Sequence, residues 1–143
     1  MGKIHMGRVL LGGLLAGVVL FFTEFVLQGV LLKGQWDAAM TALGRDPAAM
    51  KNSSAMMTYA VWSLIIGIVS VWFYAAARPR FGAGAGSAAR VALAVWVAAS
   101  LGPALGNLAA GLWPARLLWC GTFGELPIYV IALVIGAWPY QEA

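Results

Sequence analysis

The stretch VLLGGLLAGVVLFFTEFVLQGVLL, residues 9–32, decides the fold. Its 24 residues contain no Lys, Arg or Asp and one acidic side chain, Glu24. At about 1.5 Å of rise per residue a helix of this length crosses a hydrocarbon layer roughly 30 Å thick with some to spare. Lys3 and Arg8 precede the run, as they would in a secretory signal. The apolar run is too long for a signal and has no A-x-A-like exit, so it reads as an uncleaved span.

Three more such runs follow. The second covers about 57–77, where Arg78-Pro79-Arg80 supplies two charges and a ring that cannot continue a helix. A Gly-rich turn, 81–87, leads to the third, about 91–112, closed by Trp113-Pro114. Arg116 introduces the fourth, about 117–138, closed by Pro139. Hydrophobic residues make up 62% of the 143-residue chain and charged ones 10%, so water is not its main solvent. Four crossings consume nearly all of it, and it reads as a single membrane domain, 1–143, in contact with the lipid bilayer. The expected fold is all-α: a four-helix transmembrane bundle of up-down topology.

Orientation follows from Lys and Arg at the span ends. Lys3, Arg8, Arg78, Arg80 and Arg90 lie on one side; Lys33, Arg45, Lys51 and Arg116 lie on the other, diluted by Asp37 and Asp46. Both termini are therefore expected in the cytoplasm and the long connection, 33–55, outside. In that connection Trp36, Ala39, Met40 and Leu43 share one side of a possible helix ended by Gly44, and Asp46-Pro47 reads as an N-cap and first helical residue. A plain surface loop is the alternative. The basic residues are scattered at membrane edges rather than clustered, so nucleic acid is not an expected partner.

The polar interruptions carry the functional argument. Glu24 and Glu125 sit deep in the first and fourth spans, where an ionisable group costs several kcal/mol unless paired, protonated or hydrated. Counting rise along each helix puts Glu24 about 5 Å and Glu125 about 4 Å to the outer side of the midplane, with Ser63 and Asn107 roughly 6 and 8 Å out. Residues three or four apart share a face. Gly13, Gly17, Glu24 and Gln28 line up on the first span; Tyr59, Ser63, Gly67, Ser70 and Tyr74 on the second; Ser100, Pro103 and Asn107 on the third; Gly121, Thr122, Glu125 and Tyr129 on the fourth. One small-and-polar face per helix is the pattern of an inward seam in lipid. Gly13-xxx-Gly17 and Gly102-xxx-Gly106 have the spacing of tight helix pairs.

The candidate binding or proton-handling residues are Glu24, Glu125, Asn107, Gln28, Ser63, Tyr59 and Thr122. One reading makes them a brace, carboxyls hydrogen-bonded to hold the bundle in register. The other makes them a pocket for a proton, a cation or a small polar solute, because two adjacent carboxyls cannot both ionise and one would hold an exchangeable proton. His5, the sole histidine, is a weak candidate for a haem or pigment ligand at the cytoplasmic edge. With one His and one Cys, Cys120, neither a bis-histidine haem nor a thiolate metal cluster can be built within the chain. No P-loop, dinucleotide fingerprint, Ser-His-Asp set or zinc motif is present, so neither catalytic residues, a metal site nor a cofactor is expected.

Tyr74-Ala-Ala-Ala-Arg78-Pro79-Arg80-Phe81-Gly82-x-Gly84, with Trp36-Asp37 and Glu125-Leu126-Pro127, resembles small four-helix bacterial integral membrane proteins of unknown function. That resemblance covers most of the chain, implies the bacterial inner membrane, and supplies no activity. The expected role is a non-catalytic accessory or packing subunit beside other transmembrane subunits or copies of itself. The alternative is a small proton- or cation-coupled transporter or channel-like carrier that uses Glu24 and Glu125.

Overall fold

The computed structural model describes residues 3–140, which are helical almost throughout and form no strand. Helix α1 (Met6–Glu24) continues as a π-helical stretch, Phe25–Leu31, and a bend at Leu32 turns the chain into α2 (Lys33–Ala42). Gly44, at φ 69°, ends α2 as its position suggested, because the left-handed conformation there suits a residue without Cβ. The Asp46 carboxylate then accepts from the Ala48 N–H at 2.9 Å and opens a single 3-10 turn, Pro47–Met50. That turn does not run on as one helix. Asn52 caps a new one by accepting from the Ala55 N–H at 2.8 Å, and α3 spans Ser53–Phe81.

Arg78-Pro79-Arg80 does not stop the second span. The helix passes through Pro79 and ends at Gly82, at φ 80°. A proline in the last turn forfeits one hydrogen bond, while Arg78 and Arg80 sit where the helix end concentrates partial negative charge. The connection to α4 (Ala85–Trp96) shrinks accordingly to residues 82–84, and Ser87 belongs to α4, its hydroxyl donating to the Phe81 carbonyl at 2.9 Å. The third span passes through a second π-helical stretch, Val97–Leu101, into α5 (Gly102–Ala110). It ends at Gly111, φ 67°, ahead of Trp113-Pro114. Helix α6 (Ala115–Ala137) completes the bundle. Four stretches are long and apolar enough to cross a membrane: Met6–Leu31, Pro47–Phe81, which contains α3 and the short turn before it, Ala85–Ala110 and Ala115–Ala137.

Glycines set the packing. Gly67 of α3 lies so close to α1 that a methyl group there would stand 2.3 Å from the Gly13 carbonyl oxygen and 2.4 Å from the Gly17 nitrogen. Gly12 and Gly136 bring α1 and α6 together in the same way, a Cβ on Gly12 falling 2.2 Å from the Gly136 carbonyl. Gly13-xxx-Gly17 is thus a helix-pairing surface. Gly102-xxx-Gly106 is not one within this chain, since both residues are exposed and nothing lies within 4 Å of a Cβ on Gly106.

Val9, Val71, Leu117 and Leu133 are fully buried, and Ser63, Ser70, Ser87, Ser100 and Thr122 join them inside. Leu11, Phe22, Met57 and Trp138 are more than half exposed. Hydroxyl-bearing side chains inside beside a few buried Val and Leu, with many large apolar ones outside, is a distribution that lipid favours. At one end the Tyr140 hydroxyl lies 3.4 Å from the His5 N–H and its carbonyl 3.4 Å from Arg78 Nη1, which gathers the chain ends and the α3–α4 turn. Helix α2 and Trp113 occupy the opposite end, where the two indoles Trp36 and Trp113 meet edge to face with centroids 5.2 Å apart.

Candidate functional site

A cavity of about 850 Å³ opens near the α2 end. Its physical origin is the course of the third span. Up to Trp96 the span packs between α3 and α6; beyond it, π-helical geometry followed by Gly102-Pro103 redirects the chain, and α5 leans on α6 rather than on α3. The indole of Trp96 pins this hinge by donating to the Thr122 carbonyl at 2.8 Å. The vacated space is lined by α1 and its π-helical extension, by α3 and α6, and is roofed by α2.

Glu24 and Glu125 both line it, so the first and last spans each bring a carboxyl to the same space. Gln28 donates its amide to Glu125 Oε1 at 2.8 Å, and Ser100 donates its hydroxyl to Glu125 Oε2. The Gln28 carbonyl oxygen in turn accepts from Trp36 Nε1 at 2.8 Å. A relay therefore runs from the roof helix through an amide to the acid pair. Glu24 Oε1 is sealed from solvent and has no hydrogen-bond partner among the described residues. Two carboxyls, one from the first span and one from the last, thus face a single cavity, and among the described residues no basic side chain pairs with either.

The mouth under α2 has its own electrostatics. Lys33 Nζ and Lys51 Nζ lie 2.6 and 2.8 Å from the two oxygens of Asp37. Hydrogen bonds from Lys33, then from Lys51, hold the Asp37 carboxyl below the usual carboxylate range, and the bond to Asp37 lifts Lys33 above the usual lysine value. All three side chains line the cavity and remain open to solvent. Trp36, Trp62 and Trp113 supply aromatic walls.

The structure brings Glu24, Glu125, Gln28, Ser63 and Tyr59 to this one cavity. Asn107 stands apart, its amide donating to the Pro103 carbonyl of its own helix at 3.0 Å. The reason is the π-helical stretch: an i→i+5 turn holds one residue more than an α turn, so it rotates the remainder of the span and separates Asn107 from Ser100. Thr122 is buried near Trp96 and contributes its backbone carbonyl rather than lining the cavity. His5 lies at the opposite end, exposed, beside Tyr140.

Several residues of the site were not among the sequence candidates. Ser100 lies on the same polar stripe as Asn107, and the sequence candidates include Asn107 but not Ser100. Trp36, Lys33, Asp37 and Lys51 were legible only as membrane-edge residues, because nothing in local spacing folds a connection back over a cavity. Among the described residues no cluster of three or more His, Cys, Asp or Glu side chains forms. No family model, curated protein or solved structure matches this chain.

Proposed function

We propose that this chain is a four-span protein of the bacterial cytoplasmic membrane, up-down in topology with both termini in the cytoplasm, that binds and exchanges a proton or a cationic solute at Glu24 and Glu125. The excess of Lys and Arg at the terminal end and the four long apolar helices support the placement. One observation carries the function: acids from the first and last spans converge at a cavity large enough for a small molecule, and no basic side chain among the described residues pairs with either. A brace alone needs no cavity, and although Glu125 has donors on both oxygens, Glu24 Oε1 has none among the described residues.

The experiment is reconstitution into vesicles with an imposed pH gradient and an internal pH-sensitive dye. The wild-type protein moves protons in response to the gradient, and the doubly substituted Glu24→Gln, Glu125→Gln protein does not. Equal dye responses from the two would remove the proton-exchange reading.

One observation favours a second reading, the accessory subunit. Gly102 and Gly106 are exposed, no other span among the described residues lies within 4 Å of a Cβ on either, and their spacing is one by which another helix approaches closely. Extraction in mild detergent would recover this protein with a partner or a second copy; recovery only as a lone monomer counts against it.

A further inference from the structure

We propose that the cavity takes a lipophilic organic ammonium, which enters sideways from the bilayer and displaces the proton held between Glu24 and Glu125. This rests on the proton-exchange reading of the acid pair and names its ligand class. Charge is the first ground. Glu24 Oε1 is buried without a donor, and the ion pairs among the described residues join only Lys33, Asp37 and Lys51. The acid pair therefore lacks a counter-charge that a cation would supply.

Size separates organic from inorganic cations. A volume of about 850 Å³ lies within the ordinary range of small-molecule sites, and a bare metal ion would leave nearly all of it unfilled. The walls add a chemical preference. Phe21, Phe25, Tyr59, Trp36, Trp62 and Trp113 surround the space, and aromatic faces attract ammonium groups, more strongly where water is excluded.

The route follows from charge and exposure. Lys33 and Lys51 at the mouth repel an approaching cation. Phe25, Tyr59 and Trp62, by contrast, line the cavity and are 46%, 41% and 54% exposed. These three rings would offer a ligand from the acyl region an entrance that carries no positive charge.

Charge balance fixes the exchange: one monovalent cation enters and one proton leaves the acid pair. The other titratable groups lining the cavity are the phenols of Tyr59 and Tyr129 and the mouth residues Lys33, Lys51 and Asp37. Lys33, Lys51 and Asp37 are paired with one another, whereas the two glutamates have no basic partner among the described residues, so the released proton is assigned to the glutamates. The third span contributes Ala99 and the Ser100 hydroxyl, neither of which titrates.

The test uses the purified full chain in detergent with tetraphenylphosphonium as a permanent, lipophilic cation. Calorimetry in two buffers of different ionisation enthalpy reads binding and proton release together. The expected result is saturable binding with close to one proton released near pH 7, at least tenfold weaker in Glu24→Gln and in Glu125→Gln. Trp62→Leu, which keeps both acids and a large apolar side chain, should weaken binding severalfold, and Asn107→Ala should leave it unchanged. Equal binding of neutral triphenylphosphine oxide, displacement by millimolar sodium, or binding unaltered in the glutamine variants would each overturn the proposal. Infrared spectroscopy of the carboxyl stretch distinguishes the two levels of failure. A carboxyl band that titrates in the wild type and vanishes in the double glutamine variant, without cation binding, leaves proton exchange standing and removes only the ammonium. If no band titrates, both readings fall.

Discussion

Replacing Gly67 by alanine asks whether α1 and α3 are held at backbone contact. The new Cβ would lie 2.3 Å from the Gly13 carbonyl oxygen, 2.4 Å from the Gly17 nitrogen and 2.7 Å from the Gly17 Cα. All three are main-chain atoms, so no rotamer change relieves the clash. Ordinary contact begins near 3.4 Å, and the helices must therefore part by about 1.1 Å, the difference between 3.4 and 2.3. A gap of roughly 0.5–1 Å already forfeits about a quarter to a half of a dispersion well. Overpacking costs about 1–3 kcal/mol, and the most extensive helix contact in the bundle puts this site at the upper end. Better helix propensity returns about 1 kcal/mol, leaving a net loss of about 2 kcal/mol, or roughly 30-fold in the folding equilibrium. Unfolding in mixed micelles, followed by circular dichroism, measures it. Gly106→Ala is the matched control: its Cβ meets nothing within 4 Å, and the same propensity gain should stabilise the monomer by about 1 kcal/mol. Finding the two variants equally stable would refute the close crossing.

The acid pair and the roof make separate predictions. Glu125→Ala strips the acceptor from both the Gln28 amide and the Ser100 hydroxyl and should cost about 2 kcal/mol in the same assay, whereas Glu125→Gln, which still accepts, should cost about half as much or less; equal losses would show that these bonds do not hold the carboxyl. The Lys33–Asp37–Lys51 cluster gives a pH dependence for the docking of α2. Because the folded-state value of Asp37 is lowered, its contribution is present above the ordinary carboxylate range and lost as pH falls through the lowered value. Because Lys33 is raised, its contribution is full below the ordinary lysine value and lost as pH rises past the raised one. Hydrogen exchange of α2 amides, corrected for intrinsic rate, should therefore show constant protection from about pH 5 to 9, and Asp37→Asn should reduce it. A step in the wild-type protection near pH 7 would contradict this assignment.

Hydrophobic run length sufficed to locate the four long helices, and the Gly44 and Asp46-Pro47 signals marked a real helix end and a real helical start, because caps and breakers act over a few residues. Helix ends were less legible. Pro79 looks like a terminator in isolation, yet in the final turn it removes a single bond and the helix continues to Gly82. Polar stripes worked where the helix stayed regular, as for Ser63, Ser70 and Tyr74, and failed past Val97–Leu101, where the π-helical stretch changed the register. The choice between Gly13-xxx-Gly17 and Gly102-xxx-Gly106 could not be made from spacing, since both motifs are equally permissive and only one meets a partner helix in the chain.

Composition and periodicity by themselves determined that this chain is an all-helical bundle with four helices long and apolar enough to cross a membrane, because apolar length and the cost of an unpaired backbone group in lipid are local properties. That the α2 connection folds back over the bundle, that Gln28 links Trp36 to Glu125, and that a cavity opens where α5 parts from α3 were decided only in three dimensions. Those features depend on how far one helix leans from another. That angle comes from π-helical turns and glycine contacts between distant segments, which no window along the chain contains.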